Sequence, residues 1–574
     1  MRVNLPRTRA FWIGVAVLLA ALAAVEWSSA RGDSSTFDEM FHITAGYAHL
    51  ALGDFRLNYE HPPLAKLLAA LPLASLKPRI PMELPSWQSA DQWSFSRDFL
   101  YRNRVPADTM LLASRSVVIC LTLLCGLALA LWTREQFGWP AGLFALFLFL
   151  TDPNITAHGR YVTLDLALSF FVFLAVTAWA RYLVRKRAID LVWSGVTLGL
   201  ALLTKHPALL LLPLFVLLYL VRAWQEAGQA PAGTARLTLD SALALVVICF
   251  VLMAAVYAFH LPNMQPVPSP AFPVHSLAAA VNPATSTGHF LQLAARALHL
   301  PDHPYLAGLF VDSSMIHSGR PGYLLGQRSE HGWWYYFPVA MAVKTPSAVV
   351  LLTLVALGTA ILRLRRISVA ALRALPLGWI AGGAVIAVFL GVGIMSSVQI
   401  GLRHILPVYP FLFALLAGVM FRVWAPRVRR ALPYIIGAVL LIQAGEAAAI
   451  YPHHLAFFNT LSGGPASGPR YLLDSNLDWG QDLKRLKEYT DRHQIRSLCV
   501  SYFGTADARY YELPGYPLQA GLNGPGFPCR YAAISLTNLY EVYLPPGSFA
   551  WLREKKPMDR IGCSIYLYDL GNSR

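Results

Sequence analysis

Apolar residues in this chain gather in long blocks instead of alternating with polar ones. Blocks of membrane-crossing length lie near 11–30, 110–132, 140–157, 164–182, 191–204, 207–221, 240–259, 345–362, 376–396, 405–422 and 431–450. A helix needs about 20 mostly apolar residues to cross the hydrocarbon core, so the pattern predicts about eleven transmembrane helices. Around Thr204-Lys205-His206-Pro207 two short blocks meet, and Lys followed by Pro predicts a tight hairpin, since proline ends one helix and starts the next. One long kinked helix is the alternative, and it would invert everything downstream.

The charge pattern selects the hairpin. With it, Arg181, Arg185, Lys186, Arg187, Arg222, Arg236, Arg363, Arg365, Arg366, Arg373, Arg422, Arg427, Arg429 and Arg430 fall on the side of the N-terminus, as expected of cytoplasmic connections. Three large regions then face outward: a first loop of about 31–109, a loop of about 260–344 and a tail from 451. The domain reading is a membrane domain over 1–450 and an extracytoplasmic domain over 451–574. In the tail, Asp482–His493 reads as a helix, while Ser497–Phe503, Tyr531–Leu536 and Ser564–Tyr568 read as strands. The predicted fold is a mainly α, polytopic membrane protein with a small C-terminal α/β domain.

Composition agrees with this reading. At 56% hydrophobic and 14% charged residues, the chain carries more apolar side chain than a soluble protein could bury. A formal charge of +16 would suggest nucleic acid in a soluble chain. Here the cations sit in short connections and report topology, so no nucleic-acid partner is expected. A cleaved signal peptide is disfavoured because Ala30-Arg31-Gly32 is a poor cleavage site. Cys120, Cys125 and Cys249 read as packing residues; Cys499, Cys529 and Cys563 could give one disulfide and one free thiol.

Chemistry concentrates behind the first block. Thr36-Phe37-Asp38-Glu39 precedes an apolar stripe ending at Gly53 and predicts a short amphipathic helix lying at the interface. Thr36 with Glu39 fits a capping box, which offers Glu39 a structural role beside a catalytic one. Asp38 is not needed for the box. Glu60-His61-Pro62-Pro63 is a rigid turn, since prolines fix φ and extend the preceding residue; a helix start is the bland reading. Asp165 opens an otherwise apolar helix, where a carboxylate is costly unless paired, and Arg160 is its local candidate partner. Lys66, Lys205, Lys344, and Arg403 with His404 are cations at the outer boundary, suited to a lipid phosphate or, singly, to anchoring. Asp474 to Gly480 resembles a calcium loop, but its Gly is one place late and position twelve is Arg485, so a helix-capping turn is the better reading.

Phe37-Asp38-Glu39 with His42, then His61-Pro62-Pro63-Leu64-Ala65-Lys66, then Arg160-Tyr161-Val162-Thr163-Leu164-Asp165, resemble the protein O-mannosyltransferases of the GT-C superfamily. Those are membrane glycosyltransferases that use polyprenyl-phosphate sugars. Leu203-Thr204-Lys205 is similar to a segment of the bacterial aminoarabinose transferases of that superfamily, and Glu60 stands directly before the histidine, nearer their arrangement. The likeness covers roughly the first 220 residues.

By resemblance, Asp38 is the catalytic aspartate, accompanied by Glu39, and Asp165 with Arg160 forms a second pair. His42, Glu60, His61, Arg160, Lys205, Lys344, Arg403 and His404 are candidate substrate ligands. The implied function is inverting transfer of a sugar from a polyprenyl-phosphate donor to an acceptor hydroxyl on a protein, glycolipid or polysaccharide. No obligatory cofactor is expected, although Asp38, Glu39 and His42 could hold a divalent cation. The expected location is a bacterial inner membrane, with the N-terminus cytoplasmic and the tail periplasmic. A sugar-lipid transporter is the rival reading, disfavoured because the acids lie in external loops and not at the bilayer midplane.

Overall fold

The computed structural model describes residues 5–226, 234–258, 304–364, 368–517 and 529–571. Arg236, Arg365, Arg366 and most of the 260–344 loop fall outside the residues whose side chains it describes. Among the described residues six helices are long and apolar enough to cross a membrane: Thr8–Gly32, Ala107–Phe137, Asp165–Arg185, His206–Glu226, Leu377–Met395 and Leu432–Ile450. Five shorter apolar helices, Trp139–Leu150, Ala188–Leu202, Ser241–Tyr257, Ser347–Arg363 and Val408–Trp424, account for the remaining blocks. The fold is mainly α, with a small sheet near the C-terminus.

The block at 140–157 is not one helix. Its helix stops at Leu150, and Asp152 caps a short one over Pro153–His158 by accepting from the backbone N–H of Asn154 at 2.8 Å and of Ile155 at 3.3 Å. Asp152 competes with the helical backbone for these donors, as N-cap residues do.

Helix Ala188–Leu202 ends before Lys205, and the chain turns through His206–Leu210 into Leu211–Glu226. Lys205 meets Asp165 at the start of Asp165–Arg185, whereas Arg222 lines a cavity with Arg185 at its end. The two segments therefore run in opposite directions, and the hairpin forms.

The helix after Asp38 differs from the interfacial one expected. It spans Glu39–Leu52 and stops at Gly53, left-handed at φ 68° as the apolar stripe requires. Glu39 to His49 are all buried, because the helices Leu64–Ala70 and Gln92–Tyr101 pack against it. Only its last turn, Leu50 to Leu52, reaches the surface.

In the tail a helix Leu483–Arg492 precedes a five-stranded sheet. Its strands lie in the order Tyr516–Pro517, Leu498–Ser501, Tyr531–Ser535, Ile565–Asp569 and Asp559–Ile561. Tyr531–Ser535 is parallel to Leu498–Ser501 and antiparallel to Ile565–Asp569. Cys499 and Cys529 form the disulfide and Cys563 is free. The tail is stitched to the first loop by backbone bonds, Ser34 N–H to Gln481 O at 3.0 Å and Phe37 N–H to Trp479 O at 2.9 Å. Phe37 also stacks on Phe503, centroids 5.2 Å apart.

Candidate functional site

Asp38 stands at the N-cap of Glu39–Leu52 but makes no capping bond with its side chain. Thr36 and Glu39 close that end instead: the Thr36 N–H donates to Glu39 Oε2 at 2.8 Å, half of a capping box. The Asp38 carboxylate, 26% exposed, is left to reach Arg403 Nη1 at 3.1 Å.

Glu39 does not join it. It is fully buried and clamped by Arg115, which donates through Nε to Oε1 at 2.8 Å and through Nη2 to Oε2 at 2.6 Å, while the Val162 N–H donates to Oε1 at 2.9 Å. Arg115 also donates to the carbonyls of Ala30, Asp33 and Ser34. The structure thus places Glu39 against Arg115 and the Val162 N–H and not beside Asp38 in the cluster around Arg403.

Asp165 pairs with Lys205 at 2.6 Å and with the same Nη1 of Arg403 at 3.2 Å. One guanidinium nitrogen thus lies between two carboxylates 127 residues apart in sequence. Arg403 is itself positioned by the tail: its Nε donates to Ser475 Oγ at 3.2 Å and its Cζ lies 4.4 Å from the Trp479 ring centroid. Gly401 permits this approach, since a Cβ there would fall 2.2 Å from Ser475 Oγ.

Several expected ligands sit elsewhere. Arg160 is buried against Asp33 at 2.8 Å and not against Asp165, and Arg485 joins Asp33 at 2.7 Å. Burial alone would raise the Asp33 carboxyl, but Arg160, Arg485 and Arg115 hold it well below the usual range. Lys344 donates to the carbonyls of Leu455 at 2.8 Å and Asn476 at 2.5 Å, so it braces the tail; burial pushes its amine down to about 7. Lys66 likewise pins the Glu60 turn by donating to Asn58 O and His61 O, and burial lowers it to about 7.

The histidines flank the ionic cluster. His42, one turn beyond Asp38, bonds Val162 O through Nδ1 at 2.8 Å, and burial outweighs Asp38 to bring it down to about 4. His61 faces it edge-on at 6.0 Å and lies 3.9 Å from Asp312, which also meets His206 at 2.7 Å. Burial and then Lys205 depress His61. Glu60 accepts from Asn58 Nδ2 at 2.9 Å and Gln92 Nε2 at 3.0 Å and shapes the turn. His404 is half-buried beside Arg403; burial, then Arg403 and Lys205, hold its imidazole well below the usual histidine range.

Sequence reasoning missed Arg320, whose charge interacts with Tyr543, Asp474 and Asp38 and whose guanidinium lies 5.7 Å from the Tyr543 ring centroid. Its one sequence signal is the Gly319-Arg320-Pro321 turn, with Gly319 at φ 79°. Asp33, Arg115 and Asp312 were also unflagged. Among the described residues no three His, Cys, Asp or Glu side chains are placed to hold a metal ion; in the anticipated trio, Glu39 faces Arg115 and His42 faces a carbonyl.

The sequence model of the family described as Dolichyl-phosphate-mannose-protein mannosyltransferase matches residues 15–264. The motif resemblance to protein O-mannosyltransferases is met by that match. Asp38, Asp165 and Lys205 lie within the matched residues, whereas Arg403, Ser475 and Trp479 lie beyond them.

Dolichyl-phosphate-mannose–protein mannosyltransferase 1 of Candida albicans is 26% identical over 237 residues, 40% of this chain and 25% of that protein. The chain thus spans about a quarter of the length of the curated relative it matches. Among solved structures, ArnT from Cupriavidus metallidurans bound to undecaprenyl phosphate is similar at 14% identity and TM-score 0.45, covering 96% of this chain and 97% of that one. The Pmt1-Pmt2 complex of S. cerevisiae bound to the sugar donor is similar at 17% identity and TM-score 0.36, covering 48% and 37%.

Proposed function

We propose that the chain transfers a sugar from a polyprenyl-phosphate donor to an acceptor hydroxyl at the membrane face carrying Asp38, the outer face of a bacterial inner membrane. Asp38 accepts the hydroxyl proton as the acceptor oxygen attacks the anomeric carbon. The bond from that carbon to the phosphate oxygen breaks, polyprenyl phosphate leaves, and the configuration inverts. Such a donor already has a good leaving group, so a base and fixed cations supply most of what is needed.

The observation that carries this reading is the shared Arg403. It lies 3.1 Å from Asp38 and 3.2 Å from Asp165 through one nitrogen, which sets a fixed cation for the departing phosphate beside the base. Lys205 is the second cation, through the protons not bonded to Asp165. Glu39 and Arg160 act as positioning residues. The family match over 15–264 adds independent support. Because Arg403 rests on Ser475 and Trp479, the expected domains 1–450 and 451–574 act as one unit. The reading needs no metal ion, since guanidinium and ammonium stand where the departing charge develops.

The arginines support this orientation. Arg181, Arg185, Arg222 and Arg373 gather at the ends of helices opposite Asp38, the pattern of a cytoplasmic face. A transporter would collect its polar groups at mid-bilayer, yet Asp165, Lys205 and Arg403 all stand at helix ends. Purified protein in proteoliposomes with a polyprenyl-phosphate hexose separates the two: release of polyprenyl phosphate supports transfer, and passage of intact donor across the bilayer refutes it.

A further inference from the structure

At the membrane face opposite Asp38 the chain encloses a second polar cavity, of about 350 Å³. Its walls are the last turns of helices Ala107–Phe137, Asp165–Arg185 and Leu211–Glu226 and the first turn of Leu377–Met395. Arg181, Arg185, Arg222 and Arg373 line it against a single carboxylate, Glu135. Glu135 bridges Arg181 at 2.6 Å and Arg185 at 2.5 Å. Arg222 is paired outside the cavity with Glu226 at 2.7 Å, and Arg373 lies over the Trp224 ring at 5.1 Å.

Two details point to a ligand. The Nε atoms of Arg181 and Arg222 are shielded from solvent and have no hydrogen-bond partner among the described residues. A buried donor left so costs about 1–3 kcal/mol, and native proteins supply it with an acceptor. Pro376 gives the Leu377–Met395 helix no side-chain cap, and Leu377 and Gly378 of its first turn, at the positive end of the helix dipole, line the same space. Four guanidinium groups and a helix start thus line a space that holds a single carboxylate.

We propose that this cavity binds the phosphate of an anionic phospholipid headgroup from the leaflet opposite Asp38. A phosphate ester satisfies guanidinium forks and helix N–H groups together. Free phosphate shares that chemistry, but the cavity lies at helix ends beside exposed Val184 and Trp224, along which acyl chains can run. Basic pockets between transmembrane helices are suited to such headgroups. The site lies at the far end of the helices from Asp165 and Lys205, so its occupancy is separable from sugar transfer.

The full-length protein in neutral detergent is titrated with short-chain phosphatidylglycerol, phosphatidylcholine of the same chains, and inorganic phosphate, reading tryptophan fluorescence and thermal unfolding. Phosphatidylglycerol is expected to bind roughly tenfold or more tighter than phosphatidylcholine, about 1.4 kcal/mol, and the Arg222→Gln/Arg373→Gln variant to lose that margin. Equal affinity for the two lipids overturns the proposal, as does unchanged lipid binding by a folded double variant. Displacement of phosphatidylglycerol by inorganic phosphate at matching concentration overturns the lipid source. The comparison of the two lipids on the unaltered chain decides the matter even if the variant fails to fold.

Discussion

The Arg403 guanidinium lies 4.4 Å from the ring centroid of Trp479, so a cation between two membrane helices takes its position from the tail. Stacking of this kind, away from water, is worth about 2 kcal/mol. Trp479→Leu is therefore expected to slow transfer by about 30-fold, one factor of ten per about 1.4 kcal/mol, with Trp479→Phe recovering most of it. Initial rates in proteoliposomes, with unfolding temperature as the control for folding, check this.

Glu39 and Asp38 are neighbours with opposite duties. Glu39→Ala leaves Arg115 buried without its carboxylate, and breaking a buried pair costs about 3–5 kcal/mol. A large fall in unfolding temperature is expected for Glu39→Ala and almost none for Asp38→Asn, whose side chain is partly exposed. Differential scanning fluorimetry of the two variants separates them.

Helix Glu39–Leu52 is held close to its neighbour through Gly46, where a Cβ would come within 2.2 Å of the Lys66 carbonyl oxygen. Backbone cannot swing aside as a side chain can, so Gly46→Ala is expected to cut the yield of folded protein sharply. Gly437→Ala, with nothing within 4 Å of the added Cβ, is expected to be neutral or to stabilise by up to about 1 kcal/mol. Yield after size-exclusion chromatography provides the comparison.

In the tail, burial pushes the Asp478 carboxyl up to about 7. A carboxyl raised on folding binds its proton more tightly in the native state, so its contribution to stability is complete below the unfolded value near 3.8 and is lost as pH rises to about 7. The Asp478→Asn variant is expected to gain in unfolding temperature over the unaltered chain as pH goes from 4 to 7. A difference that is flat with pH, or that shrinks, contradicts this.

The helices were legible because each apolar block must bury itself in lipid or protein whatever its partners. Caps and breakers were legible too, as at Gly53 and Lys205. What the sequence cannot convey is which of several distant ionic groups meet. Nearness in sequence pairs Arg160 with Asp165, yet the helix beginning at Asp165 turns that carboxylate toward Lys205 and Arg403, and Arg160 is left with Asp33. Trp479 reads as part of a turn, because nothing local reveals that Asp474 to Trp479 serves as the platform for an arginine about 70 residues earlier. The helix after Asp38 reads as interfacial since its cover comes from segments further along the chain.

The most direct test is Asp38→Asn in proteoliposomes supplied with polyprenyl-phosphate hexose and a hydroxyl acceptor, reading single-turnover transfer and donor binding separately. The account predicts that donor still binds while transfer falls by about 10²–10⁴-fold, the usual contribution of a general base. Transfer at the normal rate by the folded variant would contradict it.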